Sequence, residues 1–303
     1  MLPAFKLMAR TAVVLVPLAV LASASSPDPG SDPSALRSKD MVELGPGAIR
    51  YRASGEFQRH GKPATAPMVN VTIDRPIAVM RHQVTASDYR RCVDAQACPM
   101  VGGDAAAPDR PVVGVSWRDA QAYASWLSLE TGLSFRLPTD EEWAYLAGSR
   151  YRDDALPESL DSSGPGQRIL AIYDRDAGRE RVDAKVPRPI GSFGANEHGL
   201  LDLAGNVWEW TDTCFQRSSF DAAGRSTATV TNCGVRVVEG RHRAYMTDFV
   251  RDARPGGCVA GTPPSNLGFR LVRDDQRWWR VPLDWLRRSH GGSIARAAAH
   301  ARP

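Results

Sequence analysis

A loop-rich α+β domain is what this sequence predicts, on three observations. Short stretches alternate apolar and polar residues with a period of two, as half-buried strands do. Three Ser or Thr residues stand three positions ahead of an Asp or Glu at the start of an apolar run, the signature of a helix N-terminus. The 303 residues also carry 26 glycines and 22 prolines beside eight tryptophans, so many turns must be anchored by few large aromatic groups. The length and the 43% hydrophobic content suffice for one large domain or two small ones.

The first residues read as an export leader. Lys6 and Arg10 precede an apolar run from Thr11 to Ala22 that closes in the small-residue site Ala22-Ser23-Ala24. The run is short for a bilayer span and contains Pro17, so cleavage is expected after residues 1–24, with a periplasmic or secreted product; an uncleaved anchor is the alternative. Residues 25–44, rich in Ser, Pro and Asp at their start, read as a flexible linker, residues 45–275 as a single domain and residues 276–303 as a basic aromatic tail. Setting aside Lys6, Arg10 and the net +5 of residues 277–303 turns the formal charge of +4 into −3, so the body lacks the basic footprint of a nucleic-acid binder.

Val69, Val71 and Ile73 alternate with polar neighbours, and Ile77, Val79 and Val84 continue the strand-like text. Thr85-x-x-Asp88 should open a short helix that carries Cys92 towards Cys98. With no His or second Cys pair nearby, those two cysteines read as a local disulfide in an exported chain. Ser116-x-x-Asp119 should cap a helix with Ala120, Tyr123, Ala124 and Leu127 on one face and Gly132 at its end. Thr139-x-x-Glu142 should start a third with Trp143 and Leu146 turned inward. Glu141 and Glu142 suit the positive end of that helix better than acid/base catalysis, and Arg136 should hold a buried carboxylate.

Residues 149–189 are polar and weakly periodic, with at most one short helix near Gln167 to Tyr173. Then comes Gly199-Leu200-Leu201-Asp202-Leu203-Ala204-Gly205-Asn206-Val207-Trp208-Glu209-Trp210, where two indoles flank a carboxylate after a turn. Its hard oxygen donors suit a calcium-type ion, or the tryptophans simply seal a core. His198 just before it reads as a loop residue. Cys214 and Cys233 enclose a Ser, Ala and Thr-rich excursion and can close a loop whose disulfide would stabilise by about 3 kcal/mol. Cys258 is then left without a partner.

Val238 to Arg254 contains no cysteine but gathers Arg241, Arg243, Arg251 and Arg254, which can clamp an anionic group or partner backbone, or pair with Glu239, Asp248 and Asp252. His242, Met246 and Cys258 form a soft donor set for copper or iron, and Tyr245 is a candidate for redox or proton transfer. The tail interleaves Trp278, Trp279 and Trp285 with arginines and can touch an anionic membrane surface or pack back on the domain. No Gly-x-Ser-x-Gly elbow, Cys-x-x-Cys, phosphate loop or dinucleotide fingerprint is present, which sets aside hydrolase, disulfide-redox and nucleotide readings.

The run Gly205-Asn206-Val207-Trp208-Glu209-Trp210, taken with Val71 to Asp74, Val115-Ser116-Trp117, Arg136 to Thr139 and Asn266-Leu267-Gly268-Phe269-Arg270, resembles the formylglycine-generating-enzyme-like (sulfatase-modifying factor) family over roughly residues 45 to 273. The resemblance implies an α+β domain related to the C-type lectin fold, with calcium held by Asp202, Gly205, Val207 and Glu209. It also implies a peptide or protein substrate. Oxidase members of the family bind copper(I) through two cysteines in the stretch where this chain has none, so an oxidoreductase here would need Cys258, His242, Tyr245 and Met246 instead, with Arg241, Arg243, Arg251 and Arg254 binding substrate. The stretch from Cys214 to Cys233 and from Val237 to Tyr245 is most similar to the branch associated with copper nitrite reductases, which points to a maturation role in denitrification. A non-catalytic, calcium-stabilised accessory module is the alternative.

Overall fold

The computed structural model describes residues 40–101, 107–153, 186–221, 225–252 and 266–274. The leader, residues 25–39 of the linker, the short helix near Gln167, Arg254, Cys258 and the tail lie outside the described residues. Among the described residues no helix is long and apolar enough to cross a membrane.

Three helices form where local chemistry dictates. Helix α1 (Ala86–Asp94) begins at Thr85, whose hydroxyl accepts from the Asp88 amide at 3.1 Å. Helix α2 (Trp117–Thr131) starts in a complete capping box between Ser116 and Asp119 and ends at Gly132, where φ of 66° favours a residue without Cβ. Helix α3 (Asp140–Ala147) repeats the box with Thr139 and Glu142. Glu142 also takes two hydrogen bonds from Arg136, at 2.6 and 2.7 Å, which fixes it as a structural carboxylate.

Among the described residues the strands make three sheets. The first has the order β1 (Met41–Leu44), β6 (Ile77–Met80), β12 (Val272–Asp274), β7 (Ser134–Arg136). Strand β1 pairs antiparallel with β6, so residues 41–44 belong to the domain and not to the linker. The Ser and Pro-rich composition ends before the apolar Met41-Val42-Glu43-Leu44 begins, and that change of composition marks the true boundary. β6 is buried at all four positions because both its faces are covered, with Ile77 and Val79 in one apolar cluster and Met80 in another. The second sheet pairs β2 (Gly47–Arg52) with β5 (Met68–Ile73), whose Val69, Val71 and Ile73 turn inward as their alternation predicts.

The third sheet runs β10 (Arg243–Thr247), β9 (Ser226–Glu239), β8 (Trp208–Phe220), β3 (Glu56–Arg59), β4 (Lys62–Ala64), and β11 (Leu267–Gly268) pairs parallel with the start of β8. The excursion between Cys214 and Cys233 is thus a long hairpin of β8 and β9, clipped by a Cys214–Cys233 disulfide. A second disulfide joins Cys92 to Cys98 at the end of α1. Helices α1 and α2 pack with Trp210, Phe269 and Leu271 in the larger core, while α3 lays Trp143 and Leu146 on the smaller one with Leu200, Leu203 and Val272. Trp143 and Trp210 are wholly buried, and each indole N–H is satisfied, by Glu209 Oε2 at 2.9 Å and by the Val115 carbonyl at 2.8 Å.

Candidate functional site

The turn that leads into β8 is built from left-handed backbone. Asp202, Ala204 and Asn206 have φ of 58°, 57° and 63°, and the Asp202 carboxylate holds the turn closed by accepting from the amides of Gly191 at 2.5 Å and Phe193 at 2.7 Å. The Gly205 carbonyl accepts from the Val207 amide at 2.8 Å.

Glu209, two residues beyond, is 1% exposed and receives four N–H donors. They are Arg270 Nε at 2.6 Å and a terminal Arg270 nitrogen at 2.8 Å, Gln83 Nε2 at 2.8 Å and Trp143 Nε1 at 2.9 Å. Arg270 is itself fully buried and also donates to the carbonyls of Leu201, Met80 and Arg81. Arg270 and Glu209 thus form a buried ion pair. Both carboxylates of the expected calcium set accept from protein donors, Asp202 from two backbone amides and Glu209 from four N–H groups. The Asn-Leu-Gly-Phe-Arg motif was visible in the sequence, but a partnership across 61 positions leaves no local signal.

A second buried cluster gathers on the same sheet. Arg243 Nε lies 3.2 Å from Asp140 Oδ2 and 3.1 Å from Glu239 Oε1, with all three side chains at 0% exposure. Tyr51 donates its hydroxyl to Asp140, and Arg243 also donates to the Arg52 carbonyl at 3.0 Å and to the Tyr151 hydroxyl. Its guanidinium sits 4.8 Å from the Tyr51 ring centroid. Burial pushes the phenols of Tyr51 and Tyr151 far above their usual range, so both stay neutral. Arg243 is therefore not a substrate clamp: its charge is consumed inside the domain by Asp140 and Glu239. Of this cluster the sequence offered only the possible pairing with Glu239.

The other expected site residues disperse. Arg251 is held by Asp119 through two contacts at 2.7 and 2.8 Å, and Arg241 is exposed on the turn between β9 and β10. His242 is half-buried, stands edge-on to Trp208 with ring centroids 4.8 Å apart and has Nδ1 2.8 Å from the Arg243 carbonyl. Met246 is 1% exposed and packed in the larger core, and Cys258 lies outside the described residues. The Tyr245 hydroxyl accepts from the Gly55 amide at 2.7 Å. Among the described residues no group of three His, Cys, Asp or Glu side chains is arranged to hold a metal.

The α+β domain with its paired turns and buried arginines belongs to a defined class. The family described as "Sulfatase-modifying factor enzyme 1-like domain" matches residues 25–275, and the chain belongs to it. The formylglycine-generating enzyme of Thermomonospora curvata is 30% identical over 244 residues, covering 75% of this chain and 74% of that protein. Its namesake from Mycobacterium tuberculosis is 40% identical over 191 residues, 57% of this chain and 61% of the relative. A bovine relative named inactive C-alpha-formylglycine-generating enzyme 2 is 32% identical over 166 residues, 54% of this chain and 50% of the relative. The chain spans about half to three quarters of the length of the curated relatives it matches.

Proposed function

We propose that this chain is an exported accessory or maturation factor that recognises a peptide or protein segment, and that it does not generate formylglycine through a pair of copper-binding thiolates. One observation carries the reading. The sequence has five cysteines, and Cys92, Cys98, Cys214 and Cys233 are joined in disulfides, so one thiol at most, that of Cys258, is left for chemistry. Two disulfides in one domain also favour an oxidising compartment, in keeping with the export leader. Family membership supports a peptide or protein as the partner, and the bovine relative named as inactive shows that family members include proteins so described. The likeness of the Val237 to Tyr245 stretch to the nitrite-reductase branch makes a copper nitrite reductase the first partner to try.

The test combines a free-thiol count, elemental analysis and an aldehyde assay on a cysteine-containing peptide, for wild type and Cys258→Ala purified from the exported fraction. The reading expects one thiol in wild type, no metal that departs with Cys258, and no aldehyde from either protein. It also expects a complex with copper nitrite reductase in native mass spectrometry that survives the substitution. Near-stoichiometric copper or iron that vanishes in Cys258→Ala, together with aldehyde formation, would replace this reading with the oxidoreductase.

A further inference from the structure

Strand β9 is paired on both sides for only part of its length. On its inner side β8 accompanies it from Ser226 to Glu239, whereas on its outer side β10 covers only residues 235–239. One further bond, from the Asp248 amide to the Gly234 carbonyl at 3.0 Å, ends that cover. Among the described residues nothing pairs with the outer edge of residues 226–233, so a row of backbone N–H and C=O groups faces outward. Exposed edges of this kind are normally blunted by charge or proline. The run Ser226-Thr227-Ala228-Thr229-Val230-Thr231-Asn232-Cys233 carries neither, and all its side chains are exposed, Val230 at 65%. The flanking charges, Arg225 and Arg236, are matched within their own chain by Asp221 at 2.9 Å and Asp212 at 3.3 Å.

We infer that this edge joins two copies of the chain, paired antiparallel about a two-fold axis at Val230. The ladder between β8 and β9 shifts register between Cys214 and Phe215 and again between Ser219 and Phe220. Between those shifts residues 215–219 of β8 pair one by one with residues 232–228 of β9. Bulges turn an edge away from further pairing, so the straight lane is residues 228–232 and Val230 is its centre. The sequence is self-complementary about the same point. A two-fold axis there sets Val230 against its own copy, Thr229 against Thr231 and Ala228 against Asn232, which are small or β-branched pairs with no charge opposite a charge. Because side chains alternate, the two valines meet on one face and the threonines on the other, and the exposed Val230 leaves water. A partner strand in this register also stops short of Val235, where β10 begins to pair, so neither copy displaces its own β10. Any extended chain can pair with an open edge; the agreement of the Thr229-Val230-Thr231 symmetry with the centre of the lane favours a second copy, through an isologous contact. The contact is short, so the association is reversible.

An axis through one residue gives a test that reads the register. Val230→Lys places like charges directly opposite one another, and so does Val230→Glu, whereas a mixture of the two variants places opposite charges there. Val230 is exposed and lies outside both apolar cores, so neither substitution disturbs the fold. The measurement is sedimentation velocity of the full-length chain at low ionic strength over a wide range of concentration. The wild-type mass is expected to rise towards twice that of the monomer, each variant to remain monomeric, and an equimolar mixture of Val230→Lys and Val230→Glu to regain the doubled species. Wild type that stays monomeric throughout overturns the inference and leaves the edge to a segment of a different protein. Variants that dimerise as wild type does overturn it in favour of another self-contact. Monomeric variants whose mixture fails to dimerise overturn the pairing about Val230.

Discussion

Replacing Glu209 with Gln gives the sharpest reading of the turn that leads into β8. The substitution keeps the shape but removes the charge opposite Arg270, and it turns one of two accepting oxygens into an NH2 group. Whichever way the amide faces, two of the four N–H donors now at 2.6 to 2.9 Å lose their acceptor, either Arg270 with Gln83 or Arg270 with Trp143. Each stranded buried donor costs about 1–3 kcal/mol. Breaking a buried ion pair by deleting one partner costs about 3–5 kcal/mol, which agrees with the sum over two donors. Against a total stability of about 5–15 kcal/mol the loss is large, and it corresponds to a fall in Tm on the order of 10 °C for a domain of this size. The assay is reversible urea unfolding with the disulfides kept oxidised, with and without a calcium chelator. A loss under about 1 kcal/mol would refute the claim that Arg270 is buried against a committed carboxylate. A chelator that lowers wild type to the level of the variant, while leaving the variant unchanged, would show instead that Glu209 holds calcium.

Three further outcomes follow from the fold. Cys214→Ser with Cys233→Ser should cost about 3 kcal/mol in urea unfolding, since the bond closes a loop with a sequence separation of 19. Thr139→Ala should cost about 1 kcal/mol by the same measurement, because the Glu142 amide loses its cap at the start of α3. Gly240→Ala should cost about 1–3 kcal/mol and shift the tryptophan fluorescence, because a Cβ there would lie 2.6 Å from the Trp208 ring against which His242 rests.

What could be read from the sequence was local. Thr85, Ser116 and Thr139 announce their helices because a cap and its partner lie three residues apart, and the cysteine pairs are legible because their spacing and compartment restrict the choices. The long hairpin of β8 and β9 escaped notice for a physical reason. From Ser226 to Gly234 every side chain of β9 is exposed, so neither face shows the apolar alternation that marks a strand. Arg243 and Arg270 were both in view, yet their carboxylates arrive from separate elements: Asp140 from α3, Glu239 from β9 and Glu209 from β8. Helix propensity explains Asp140 so well as a first-turn residue that nothing in its surroundings hints at a second task.

The register of β8 and β9 ties the two buried clusters together. Glu209 and Glu239 are direct cross-strand partners, and α3 serves both clusters, sending Trp143 to Glu209 and Asp140 to the Arg243 guanidinium that Glu239 also engages. Two like charges at such a position destabilise a sheet in water and would do so more strongly here, with both residues buried. The surroundings separate the pair. Glu209 meets a bidentate guanidinium and two further donors, whereas Glu239 shares the single Arg243 guanidinium with Asp140. The two arginines are therefore not interchangeable. Arg270→Met should leave Glu209 without its ion-pair partner and cost about 3–5 kcal/mol. Arg243→Met should strip two buried carboxylates, Asp140 and Glu239, of their shared partner, so its cost should be at least as large in parallel urea titrations at neutral pH. A clearly smaller loss for Arg243→Met would refute the claim that one guanidinium holds both carboxylates.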